Sequence, residues 1–177
     1  MNEASMAYAM DAPDQSFESL VLEYFNQVLS YLHRIVGDIA EAHRLTETTF
    51  AEMARYYRKG KTPNHPRALL FLLATARARE FLKKGNKRGL VDRLFKHEAE
   101  PVVEFGEEDI RGLANDTSQR ALSTLEFNDK AVLLLHDYCG LSYDEVARAA
   151  GIGRSAVGRD LERARQSFKQ AYDYIKF

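Results

Sequence analysis

The stretch 141–168, LSYDEVARAAGIGRSAVGRDLERARQSF, decides how the chain is read. Val146, Ala147, Ala150, Gly151, Ile152 and Val157 stand at the spacing of two short helices that cross through a tight turn, each for a steric reason. Ala147 is small where the helices cross, Gly151 takes a left-handed conformation at low cost, and Ile152 and Val157 close a shared core. The pattern predicts a helix-turn-helix. Its second helix continues with Leu161, Ala164, Phe168, Ala171, Tyr172 and Ile175 on one face. Arg154, Ser155, Arg159, Arg163 and Gln166 lie elsewhere, where they can meet a phosphate backbone or base edges. The backbone N–H groups at the start of that helix add further phosphate donors.

Upstream of this stretch the chain also reads as helix. From Phe17, the residues Leu20, Val21, Tyr24, Phe25, Val28, Leu32 and Ile35 recur at steps of three and four, the period of one helix face. That helix ends near Gly37. Asp38 is placed to cap a second helix, which turns Ala42, Leu45, Thr49, Phe50 and Met53 toward a core. Pro63 and Pro66, with Gly60, mark a loop before a third helix over Arg67–Lys84. Residues 98–118 contain Pro101, Gly106, Gly112 and seven acidic side chains, the composition of a linker. Helical runs over Ala121–Leu125 and Asp129–Tyr138 follow, the second stopped by Gly140. The expectation is an all-α chain: two small helical domains joined by a flexible acidic linker.

The net charge of −1 conceals strong segregation. Residues 1–54 carry −7, residues 55–97 carry +11, residues 98–129 carry −7 and residues 130–177 carry +2. A block of 43 residues at +11 is what a polyanion's counterion atmosphere rewards, so nucleic acid is the first partner to expect. Other classes recede. No apolar stretch approaches the ~20 residues needed to span a bilayer, and the first residues lack a secretory pattern, so a cytoplasmic protein without membrane insertion is expected. The single cysteine, Cys139, excludes an internal disulfide, and the five histidines form no zinc spacing. No glycine-rich phosphate loop or catalytic grouping stands out, so neither an enzyme nor a cofactor or metal site is expected.

Leu141–Ala147, Gly151-Ile152, Ala156-Val157 and Leu161–Arg165 resemble region four, the DNA-binding end of extracytoplasmic-function sigma factors of bacterial RNA polymerase, in the sigma-70 family. Gly37-Asp38, Leu45 and Glu47-Thr48-Thr49-Phe50 are similar to that family's polymerase-docking helix. Pro66-Arg67-Ala68 and the apolar helix after it resemble the part of region two that melts the minus-ten element. The resemblance implies a tail over 1–16, region two over 17–97, the acidic linker over 98–118, and region four over 119–177.

It also implies partners and roles. Core polymerase, through the clamp helices of its largest subunit, would meet Glu41, His43, Arg44, Glu47 and Thr48, with Glu52 alongside. The minus-ten strand would meet Asn64, His65, Arg67, Phe71, Arg77, Lys83 and Lys84. The minus-thirty-five duplex would meet Arg154, Ser155, Arg159 and Arg163. An anti-sigma factor would be the regulator. Two departures stand out. His43-Arg44 occupies the place of a usual acidic pair, and Leu69 that of a usual tryptophan, leaving Tyr56, Tyr57 and Phe71 as nearby aromatics. A phosphate on Thr46, Thr48 or Thr49 would restore negative charge to the docking helix. The rival readings are a sigma-like mimic that binds an anti-sigma factor without directing transcription, and a stand-alone helix-turn-helix regulator.

Overall fold

The computed structural model describes residues 16–60, 62–88 and 117–176. Helix α1 runs Phe17–Val36. Ser16 Oγ accepts from the Ser19 amide at its start, and Gly37 closes it at φ 81°, a left-handed turn that costs glycine little. One residue later, Asp38 Oδ1 accepts from the Glu41 amide at 2.9 Å and starts α2, Ile39–Arg58. So short a connection folds the two helices into a hairpin. Helix α3 spans Pro66–Arg88, with proline at the first helical position, where its missing N–H costs nothing. The three helices bury Leu20, Leu32, Met53, Leu70 and Phe71 among themselves. The Tyr31 ring meets Phe71 edge-on at 5.5 Å, and its hydroxyl pairs with Thr75 Oγ1 at 2.7 Å, which satisfies the two buried hydroxyls together.

The carboxy-terminal group comprises α4 (Thr117–Thr124), α5 (Phe127–Leu133), a π-helical turn over Leu134–Tyr138, α6 (Tyr143–Ala150), a 3-10 turn at Arg154–Ala156, and α7 (Val157–Lys176). A reciprocal cap starts α6: Ser142 Oγ accepts from the Glu145 amide while Glu145 Oε2 accepts from the Ser142 amide. Gly151, at φ 70°, ends α6 and makes the turn into the next helix. Val146, Val157, Leu161 and Ala164 are buried where α6 and α7 meet. The helix-turn-helix thus forms as its sequence pattern requires. The expected linker overlaps helix at its end, since α4 begins at Thr117, and the rest of it lies outside the described residues, as do the tail over 1–15 and residues 89–97.

The two helical groups pack directly on each other, with α3 lying along α6. Alanines at 68, 74 and 78 of α3 and at 149 and 150 of α6 are buried, so both helices are lined by residues that permit close backbone approach. The buried residues of both groups form one continuous core. Leu70, Phe71, Ala74 and Ala78 of α3 are all fully buried and share one helix face of about 100°.

Candidate nucleic-acid interface

Ser155 in the 3-10 turn and Arg159, Glu162 and Gln166 on α7 are exposed and follow one another at steps of four, three and four, one solvent-facing stripe. None of the amino-terminal helices covers it. The arginines around the stripe differ sharply in freedom. Arg154 donates to Asp144 at 2.8 Å and lies 5.1 Å above the Tyr143 ring, which orients it at the mouth of the turn. Arg159 is 77 % exposed and, among the described residues, meets only its neighbour Asp160, at 3.4 Å. Arg163 forks onto the buried carboxylate of Asp129 at 2.6 and 3.1 Å and also reaches Asp160. The Asp129 bond pushes the Arg163 pKa above its ordinary value. Its placement is that of a tie between α7 and α5. Arg165 forks likewise onto Asp137, and that bond holds the Asp137 carboxyl below the usual range.

The residues expected at the minus-ten strand are dispersed. Asn64 and His65 are exposed in the loop before α3, and Lys83 and Lys84 are exposed near its far end, with Lys84 on Glu80 at 2.7 Å. Phe71 is fully buried beneath Tyr31. Arg77 ties α3 to α2 through Glu52 at 2.5 Å. Arg67 faces the other module: its Nη2 donates to the Cys139 carbonyl at 2.6 Å, and its Nη1 stands 3.8 Å from Glu145.

Arg67 belongs to a clasp that sequence reasoning did not find. The Cys139 carbonyl also accepts from Gln27 Nε2 at 3.0 Å. Arg79 lies 4.9 Å over the Phe127 ring and donates to Asn128 Oδ1 at 3.2 Å. Arg34 lies 4.6 Å over the Tyr138 ring, and its carbonyl accepts from Gln119. A cavity of about 360 Å³ opens on the carboxy-terminal module, lined by Leu122, Leu133, Tyr138, Arg165 and Phe168, with Arg34 of α1 at its edge. Among the described residues no helix is long and apolar enough to cross a membrane, and no group of three or more His, Cys, Asp or Glu is placed to hold a metal.

On α2, each acid expected at the polymerase has a nearby side-chain partner. Glu41 pairs with Arg44 at 2.7 Å, Glu47 stands 3.4 Å from His43, and Glu52 is held by Arg77. The three threonines separate by helical phase. Thr46 and Thr49 are fully buried and donate to the carbonyls of Ala42 and Leu45, whereas Thr48 is exposed and donates to Arg44.

The site thus lies on two packed helical modules, the second of which contains a helix-turn-helix with an exposed face. Residues 118–168 match the family model "Sigma-70, region 4". Over 158 residues the chain is 24% identical to RNA polymerase sigma factor YlaC of Bacillus subtilis (strain 168), spanning 88% of this chain and 91% of that protein. Its fold is similar to that of the sigma factor RpoE in complex with the anti-sigma factor NepR from Bartonella quintana, with a TM-score of 0.68 at 17% identity over 89% of this chain and 96% of that one. It is also similar to CnrH in complex with the cytosolic domain of CnrY, with a TM-score of 0.62 at 19% identity over 95% and 94% of the two chains. Residues 118–168 are thus similar to sigma-70 region 4, the chain as a whole is similar to one RNA polymerase sigma factor, and its fold is similar to those of RpoE and CnrH.

Proposed function

We propose that this protein directs promoter-specific transcription initiation: it binds core RNA polymerase through α1 and α2, holds an opened minus-ten strand with the loop and basic helix over 62–88, and reads a minus-thirty-five element with α7. The observation that carries this reading is the exposed stripe of Ser155, in the 3-10 turn, and Arg159, Glu162 and Gln166 on α7, a helix whose Arg163 and Arg165 are committed to internal carboxylates. Cations outside that stripe stabilise the module, and the stripe is left for the groove.

The clasped arrangement is then a resting state. Elements about 25 base pairs apart are about 85 Å apart at 3.4 Å per base pair. The longest helix, α3 with 23 residues, is about 35 Å long at 1.5 Å per residue, and the two modules lie side by side rather than end to end. Gripping both elements therefore requires α6 to leave α3. The residues numbered 89–116 reach about 95 Å when extended, enough to allow it. Opening also frees Arg67 for phosphate.

One fold relative above, RpoE, is a sigma factor in complex with an anti-sigma factor, and such a partner fits this chain. A segment seated in the cavity beside Arg34 touches both modules and holds the clasp shut. The test is transcription reconstituted with bacterial core polymerase on a randomised promoter library. The proposal expects transcripts from promoters that share two spaced elements. Failure of the purified chain to join core polymerase and give any selected start, even after the clasp is weakened, refutes it.

A further inference from the structure

We propose that Arg159 and Glu162 form a two-letter reader on α7, Arg159 recognising a guanine and Glu162 a cytosine within about two base pairs of it. This rests on the reading of α7 as a DNA-recognition helix and adds what that helix selects.

Arg159 is the arginine of α7 whose fork is uncommitted among the described residues. Its Nε makes a long 3.4 Å contact to Asp160 Oδ1, an oxygen that Arg163 Nη1 already takes at 3.1 Å. The two Nη groups of Arg159 point into solvent with no hydrogen-bond acceptor described around them. A guanidinium edge of that kind donates in parallel to O6 and N7 of guanine. Arg163 and Arg165 cannot do the same while forked onto Asp129 and Asp137.

Glu162 lies three residues on, in the same exposed stripe. Gln166 Nε2 donates to its Oε1 at 3.0 Å, which steadies the carboxylate and leaves its second oxygen outward. A carboxylate brought toward phosphates is repelled, so it weakens binding to every sequence unless a base amine meets it. Cytosine offers its N4 donor alone on the major-groove edge, whereas the adenine amine stands beside the N7 acceptor, which repels a carboxylate. Cytosine is therefore the base a glutamate accepts best. Three residues advance about 4.5 Å along the helix, and a base pair rises about 3.4 Å, so the two bases are one or two steps apart.

The experiment is selection from a randomised duplex library with the full-length chain, run alone and with bacterial core polymerase, for wild type, R159A, E162A and E162Q. All three substitutions fall on exposed side chains, and matching thermal melts confirm an intact fold. The wild type is expected to enrich a guanine and a cytosine within two base pairs. R159A flattens the guanine position alone, by about 10–100-fold in relative affinity. E162A flattens the cytosine position while binding random DNA more tightly, and E162Q exchanges the preferred cytosine for adenine, because an amide donates to N7 as well as accepting from N6. An enriched sequence that is unchanged by E162A and E162Q, or by R159A, overturns the proposed reader while leaving α7 as the docking helix. No enrichment by the wild type in either arm overturns both.

Discussion

Replacing Arg67 with alanine should open the clasp. The guanidinium makes one charge-assisted hydrogen bond, 2.6 Å to the Cys139 carbonyl, of a kind worth about 1.5–3 kcal/mol net. The approach to Glu145 at 3.8 Å joins two side chains each about a quarter exposed and adds at most about 0.5 kcal/mol after screening. The Cys139 carbonyl keeps Gln27 as a donor, so no orphaned acceptor adds to the loss. The sum is about 2 kcal/mol, or roughly a 30-fold shift of the closed-to-open ratio toward open. Single-molecule energy transfer between dyes on L22C and Y174C reads it, since both positions are 87% exposed and the native Cys139 thiol is buried. Burial also pushes that thiol up to about 12, which keeps it unreactive toward the dyes. The R67A variant should spend about 30 times longer open relative to closed than the parent. A ratio within two-fold of the parent, in R67A and in R67A/R79A alike, refutes the clasp.

Three further outcomes follow from the same geometry. Arg163→Ala leaves the buried Asp129 carboxylate without its fork; discounted because Arg163 is half exposed, the cost is about 2 kcal/mol, seen as a melting temperature roughly 5–10 °C lower, with an unchanged base preference in duplex selection. Aspartate at Thr46 or Thr49 buries an unpaired charge and should cost more than about 3 kcal/mol in denaturant unfolding, whereas T48D should fold normally and bind core polymerase more tightly; unchanged binding by T48D excludes a phosphate switch on this helix. Because Arg165 holds the folded Asp137 carboxyl below its unfolded value, the pair stabilises above the ordinary carboxylate range and the contribution disappears as pH falls through the depressed value. Stability measured from pH 7 downward should therefore fall less steeply in D137N, and an identical slope contradicts that role.

What the amino-acid sequence discloses here is what short-range sterics and capping determine. Gly151 must adopt a left-handed turn, and Asp38 starts a helix one residue after Gly37 ends another, both within a few residues along the chain. The clasp joins residues 72 and 112 positions apart through a backbone carbonyl, and a carbonyl leaves no mark in a sequence. For the same reason Arg163 reads as a free cation: its aspartate lies 34 residues away, and only the folded chain reveals it. The threonines were separable in principle. Thr46 and Thr49 share the phase of Ala42, Leu45 and Met53, the buried face, and Thr48 does not. In the sequence Phe71 reads as an aromatic for stacking on bases, yet the same ring is buried at the bundle's centre, opposite Tyr31.

The most direct measurement follows the distance between the same two dyes as core polymerase and then a selected promoter are added to the purified chain. Separation of the dyes by tens of ångströms on the promoter complex, reversed when the promoter is competed away, is the predicted result. A complex that starts transcripts while the dyes remain at their closed distance contradicts the account.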